Sequence, residues 1–239
     1  MYKERFYRKW VKSDGLVTFE VKELETDLLI SASKNLEVAS REAILNYRQD
    51  IESYIKKHKE FLTSLEPLIV DTDAPRIVRA MADAGKRAGV GPMAAVAGAI
   101  AEFVGRDLLA YTDEIIVENG GDIFIKTKVT RILGIYAGEN SPFSGKLALE
   151  ISPSEEGLGA CTSSGTVSHS LSFGRADAAL IISKDTALAD AVATATGNVV
   201  KNKDCIEKGM DFAKSIDGVT GALIIVEDKL GSWGEIKLV

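Results

Sequence analysis

The chain has 239 residues, 46% of them apolar and 27% charged, enough for one large globular domain with a substantial core. Its formal net charge of -6 argues against nucleic acid as the main partner. The uncharged, apolar run at residues 88–101 is too short for a bilayer span, which needs roughly 20 apolar residues.

The two cysteines, Cys161 and Cys205, make no disulfide framework. Met1-Tyr2-Lys3-Glu4-Arg5 is followed by no apolar stretch. The expectation is a cytoplasmic protein with no signal peptide, lipid anchor or membrane segment.

In chain order, Val17, Phe19 and Val21 alternate with Thr18, Glu20 and Lys22, between turns expected at Ser13-Asp14-Gly15 and Glu25-Thr26-Asp27. This predicts a strand, with Leu28 to Ala32 as its antiparallel neighbour. From about Leu36 to Leu65, Ile44, Ile51, Ile55 and Leu62 mark one stripe of a helix that Pro67 closes. Asp73-Ala74-Pro75 starts another helix, to about Ala88. Gly89-Val90-Gly91 breaks it, and Pro92 opens an alanine- and glycine-rich helix to about Ala110.

Strands are expected at 114–117, 122–126, 131–136, 146–151 and 178–183. Helices follow at 186–200 and 204–216, then strands at 222–227 and 235–239. Strand groups alternate with helix pairs, so the fold class is α+β and not a doubly wound sheet. A weak two-fold rhythm divides a single domain into halves of roughly 1–115 and 116–239.

Three constellations could carry chemistry. In Glu118-Asn119-Gly120-Gly121-Asp122, two glycines between strands permit positive φ and close backbone approach, flanked by an amide and carboxylates. The same string also reads as an ordinary hairpin turn. In the second, Asp185 caps a helix on which Asp190 and Thr194 share a face among alanines and valines. A buried carboxylate there needs either a hydrogen-bonding partner or a metal, and its oxygen-only neighbours suit Mg²⁺. The third is a hydroxyl-rich loop, Cys161-Thr162-Ser163-Ser164-Gly165-Thr166, followed by His169. Its amides could hold phosphate and His169 could act as a general base. Cys161 is either a small buried residue or a reactive thiol.

In this order the pieces resemble the FAD:protein FMN transferases, the ApbE-like superfamily once called thiamine-biosynthesis lipoproteins. The landmarks are Gly98-Ala99-Ile100-Ala101, Asn119-Gly120-Gly121-Asp122, Thr162-Ser163-Ser164-Gly165 and Ala189-Asp190-Ala191-Val192-Ala193-Thr194-Ala195. A compact branch found in archaea and anaerobic bacteria is more similar still. It shares residues 90–102, 117–122 and His169-Ser170-Leu171-Ser172-Phe173-Gly174-Arg175-Ala176-Asp177.

The resemblance implies an ApbE-like fold that uses Mg²⁺ and FAD, moves FMN to a hydroxyl of an acceptor protein and releases AMP. It places the Ala101 carbonyl, Asp190 and Thr194 at the metal, and Gly120, Gly121 and Asp122 at the flavin-side turn. His169 falls at a catalytic histidine. The chain departs from the family's pattern in three places. Ser-Leu-Ser-Phe-Gly follows His169 where the family has Asp-Pro-x-Thr-Gly, Glu102-Phe103 replaces a Lys-Gly pair, and Thr166-Val167 replaces aromatic and acidic residues.

The expected partner is a small flavin or nucleotide, with an acceptor protein and a symmetric homodimer as further expectations. Two other readings stand beside the enzyme: a non-catalytic flavin-binding module, and a sulfur-handling protein serving homocysteine formation through Cys161.

Overall fold

The structure is a computed structural model and describes residues 11–138, 141–165 and 174–239. The α+β expectation holds. The strands are β1 (Val11–Lys12), β2 (Val17–Glu23), β3 (Thr26–Ala32), β4 (Ile115–Asn119), β5 (Asp122–Thr127), β6 (Arg131–Gly134), β7 (Ala148–Ile151), β8 (Ser154–Ser163), β9 (Ala178–Ser183), β10 (Val219–Val226) and β11 (Lys229–Gly234). The helices are α1 (Glu37–Lys57), α2 (Glu60–Thr63), α3 (Arg76–Ala88), α4 (Val96–Leu108), α5 (Thr186–Val199) and α6 (Ile206–Ser215).

An eight-stranded sheet runs in the order β11-β10-β9-β8-β5-β4-β3-β2, antiparallel throughout, and β1-β6-β7 form a separate three-stranded sheet. Because successive strand side chains alternate between faces, each central strand feeds two cores. Phe124, Cys161, Ile181 and Ile224 pack with helix residues such as Val104, Leu188 and Val192. Their sequence neighbours Ile125, Ala160, Ile182 and Ile225 pack with Leu133, Leu149 and Ile151 of the small sheet. The molecule is therefore helices over a large sheet over a small one. Double-sided burial explains why β9 and β10 are nearly continuous apolar runs with no polar face.

Several expectations shift. Residues 154–163 form β8, a ten-residue strand in mid-sheet, so Cys161, Thr162 and Ser163 lie on a strand and not in a loop. Glycines at 157 and 159 masked its strand character; Gly159 lies where a Cβ would meet the Thr186 backbone at 2.6 Å. The helix expected over 36–65 ends at His58, and only a four-residue turn of helix, α2, follows. The last hairpin turns at Glu227 (φ 53°), so its second strand is 229–234. The expected 235–239 strand is shortened to its last residues, which exchange backbone hydrogen bonds with β7 around the Leu238–Leu149 bridge. Among the described residues no single helix is long and apolar enough to cross a membrane.

Candidate functional site

The β4–β5 hairpin closes on the pair Asn119↔Asp122. Both intervening glycines have positive φ, 69° at Gly120 and 106° at Gly121, as a two-residue turn of this hand requires. The Gly121 N–H donates to the Glu118 carboxylate at 2.9 Å. The hairpin reading of this string is thus correct, and the question is what the turn presents.

Strand parity answers it. Asn119, Asp122 and Ser163 share the sheet face of Val117, Phe124 and Cys161, which looks onto the helices. Asp122 pairs with Cys161 across β5 and β8, so the turn and the end of β8 lie at one end of the sheet. The Asn119 side-chain amide donates to the Ala97 carbonyl at 3.1 Å, tying the turn to the start of α4. Asp122 Oδ1 and Ser163 Oγ are buried there with no hydrogen-bond partner.

Helix α5 supplies the other side. It packs against α4 with Gly98 facing Asp190 and Glu102 facing Thr186, two contacts one helical turn apart on antiparallel helices. A Cβ at Gly98 would lie 2.5 Å from the Thr186 carbonyl oxygen, so only glycine permits this approach. Helix α4 starts after Ala95, which offers no side-chain cap. Asp190 fills that role from the neighbouring helix: its Oδ2 accepts the Gly98 N–H at 2.8 Å, and the Ala97 N–H also reaches the carboxylate. In return Glu102 accepts the Thr186 N–H at the start of α5 at 2.7 Å.

The electrostatics of this corner are one-signed. Burial pushes the Asp122 carboxyl well above its ordinary value, and the neighbouring Asp190 charge pushes it further. Burial pushes Asp190 up to about 7, against the lowering effect of the Gly98 and Ala97 amides. Neither carboxylate has an ion-pair partner among the described residues. The two buried acids stand close enough that the Asp190 charge adds to the effect of burial on Asp122. The described His, Cys, Asp and Glu residues form no group of three at metal-binding spacing. The donors gathered here are instead two carboxylates with hydroxyls and backbone carbonyls, an all-oxygen set that fits a hard divalent cation keeping some of its waters.

The structure thus brings together Asn119, Gly120, Gly121, Asp122, Ser163 and Asp190. Glu118 is 2% exposed and serves the turn from the opposite sheet face. Thr162 alternates with Ser163; Ser164 is buried and Gly165 exposed where the strand ends. Thr194 lies one turn beyond Asp190 on α5, half-buried. Ala101 is fully buried on the α4 face that carries Gly98 and Glu102. His169 lies outside the described residues.

Cys161 is fully buried, its thiol donates to the Thr186 carbonyl at 3.4 Å, and burial raises its pKa. This enclosure matches the reading of Cys161 as a small buried residue and gives the carrier-thiol reading no support. Reasoning from sequence missed Glu102 and the α4 amides as parts of the corner. A glutamate within an alanine- and glycine-rich helix, four residues after a glycine, was the available signal.

Comparison with known proteins agrees with this architecture. A family model described as "AbpE bacteria" matches residues 8–228, and the chain belongs to that family. It is 42% identical over 221 residues to a UPF0280 protein of Methanococcus aeolicus, covering 90% of this chain and 88% of the relative. It is 44% identical over 218 residues to a UPF0280 protein of Methanocaldococcus jannaschii, covering 89% and 88%. Among solved structures it is similar to the flavin transferase ApbE of Vibrio cholerae, with TM-score 0.62 and 16% identity over 94% of this chain and 97% of that one. It is also similar to the flavinyl transferase ApbE of Pseudomonas stutzeri, with TM-score 0.57 and 14% identity over 94% of each. The chain has the ApbE fold.

Proposed function

We propose that this chain is a Mg²⁺-dependent enzyme acting on the pyrophosphate of an FAD-type dinucleotide, by FMN transfer to an acceptor-protein hydroxyl or by hydrolysis. The observation that carries this reading is the Asp122–Asp190 pair: two buried acids, uncompensated by any described cation, beside a glycine turn and on the ApbE fold. The flavin transferases of similar fold supply the flavin chemistry in this reading; the acids supply the metal requirement.

When bound, Mg²⁺ neutralises charge on the pyrophosphate oxygens. Asp122, Asp190 and Thr194 are the side chains that would hold it, with the Ala101 carbonyl as a further oxygen. Gly120 and Gly121, with no side chains, let the ligand approach the β4–β5 backbone. Thr162, Ser163, Ser164 and Gly165 offer hydroxyls and amides along the same edge. His169 takes the proton of the attacking hydroxyl or water as the new O–P bond forms; the P–O–P bond breaks and AMP leaves with its electron pair.

Incubation of the protein with FAD and MgCl₂, followed by chromatography, tests this. AMP appears, accompanied by free FMN or flavinylated protein, and EDTA or Asp190→Asn abolishes it. Saturable flavin binding without AMP would reduce the chain to a flavin-binding module. The absence of both binding and products would remove the reading altogether.

A further inference from the structure

We propose that Glu102 is a positioning residue for Asp190: its carboxylate locks α5 against α4 so that Asp190 stands at the corner shared with Asp122. The proposal rests on the reading of Asp190 as a ligand-facing acid. It adds a residue whose own carboxylate touches backbone and an arginine, and neither Asp122 nor Asp190.

Glu102 is only 8% exposed, on the second turn of α4. One of its oxygens, Oε2, accepts the Thr186 N–H at 2.7 Å. The other, Oε1, accepts from Arg106 Nε at 2.7 Å. Arg106 is itself placed over the Phe124 ring at 5.2 Å, so the carboxylate is held on the sheet as well as on its own helix. Thr186 is completely buried, and Asp185 already caps α5 through the Leu188 N–H at 2.9 Å. The Glu102 bond is therefore not the ordinary cap of α5. It is an attachment of that helix to its neighbour.

The register shows what the attachment controls. Thr186, Asp190 and Thr194 recur every four residues and share one face of α5. Gly98 and Glu102 have the same spacing on α4. Two bonds, Glu102 to Thr186 and Asp190 to Gly98, tie the packed helices α4 and α5 together in one register. Releasing the first leaves the Asp190–Gly98 bond as the remaining hydrogen bond between packed α5 and α4 among the described residues. The Gly98 N–H is the third amide of its helix and has no partner within it, so its protection reports directly on where Asp190 stands.

The deciding measurement is hydrogen exchange at the Gly98 amide, read by NMR without added metal. In Glu102→Ala this amide exchanges about tenfold faster than in wild type, while Glu102→Gln, which keeps an acceptor for the Thr186 N–H, stays within about twofold. Unchanged Gly98 protection in a folded Glu102→Ala protein overturns the proposal, because loss of the Thr186 bond alone would then be a local event. Mn²⁺ titration is the second readout: Glu102→Ala binds about tenfold more weakly and Glu102→Gln recovers wild-type binding. Wild-type protein that binds no Mn²⁺ would sink the metal reading, and Gly98 exchange would still decide whether Glu102 positions Asp190.

Discussion

The carboxylate of Asp190 caps a helix to which it does not belong: its Oδ2 lies 2.8 Å from the backbone nitrogen of Gly98, at the start of α4. The Gly98 contact leaves the carboxylate other lone pairs, since an ionised carboxylate accepts at about four positions. Asp190 is thus both a structural joint between two helices and half of an acidic corner. Substitutions there separate the two roles.

Asp190→Asn keeps a carbonyl oxygen for the Gly98 N–H and removes the buried charge. It leaves the melting temperature near or above that of wild type at pH 8, while divalent-cation binding by calorimetry is lost. Asp190→Ala strands the Gly98 and Ala97 amides as well, and urea denaturation shows a loss of about 1–3 kcal/mol. Equal stability of the two variants would show that the amides do not depend on this side chain.

The apo protein loses stability as pH rises from mildly acid to neutral. Asp190 is held at about 7 in the folded chain against an ordinary 3.8, so between those values the folded state keeps a proton that the unfolded state has released. Stabilisation from this group is complete below 3.8 and disappears through pH 7; Asp122, also raised, acts in the same direction. Added Mg²⁺ has the opposite dependence, because protons compete for the same oxygens. Thermal melts from pH 5 to pH 8, with and without MgCl₂, give the largest metal-induced rise at pH 8. A rise that is larger at pH 5 would contradict the assignment.

Gly98→Ala drives α4 and α5 apart. Its Cβ would meet the Thr186 carbonyl oxygen at 2.5 Å and the Asp190 Cβ at 2.8 Å, neither of which is the free end of a flexible chain. Equilibrium unfolding records a loss of about 1–3 kcal/mol despite the better helix propensity of alanine. A neutral or stabilising result would mean that the helices slide without cost.

Gly121→Ala strains the turn and leaves the core intact. Its φ of 106° is a conformation L residues rarely adopt, yet the nearest atom to a new Cβ is 3.8 Å away. The cost is about 1–2 kcal/mol of backbone strain, and flavin fluorescence quenching weakens in parallel because the backbone face is re-aimed. Full flavin binding by this variant would argue that the turn does not touch the ligand.

Thiol titration of native protein with an aromatic disulfide modifies Cys205 and spares Cys161 until denaturant is added, since Cys205 is half-buried and Cys161 fully enclosed. Rapid modification of Cys161 in the folded protein would favour the sulfur-handling reading.

Period and punctuation were enough to place most elements. The alternation of Val17, Phe19 and Val21, the left-handed Gly89 ending α3 and Asp185 at the cap of α5 are local signals with local causes. The ordered motifs around Gly98, Asn119 and Asp190 were likewise enough to place the chain near the flavin transferases. What the sequence could not decide was pairing across the fold. β8 was hidden because its glycines are unfavourable in an isolated strand: Gly159 lets Thr186 sit against the sheet, and Gly157, at φ 80°, makes room for the Phe124 ring. The meaning of Asp122 depended on strand parity and on Asp190, 68 residues later in the numbering (190 − 122). Glu102 stood out in the sequence only as a departure from the family's Lys-Gly pair, because its Oε2 partner is an amide 84 residues away. Local propensity acts over a few bonds, whereas burial, desolvation and the matching of a carboxylate to an orphaned amide arise only when distant segments pack.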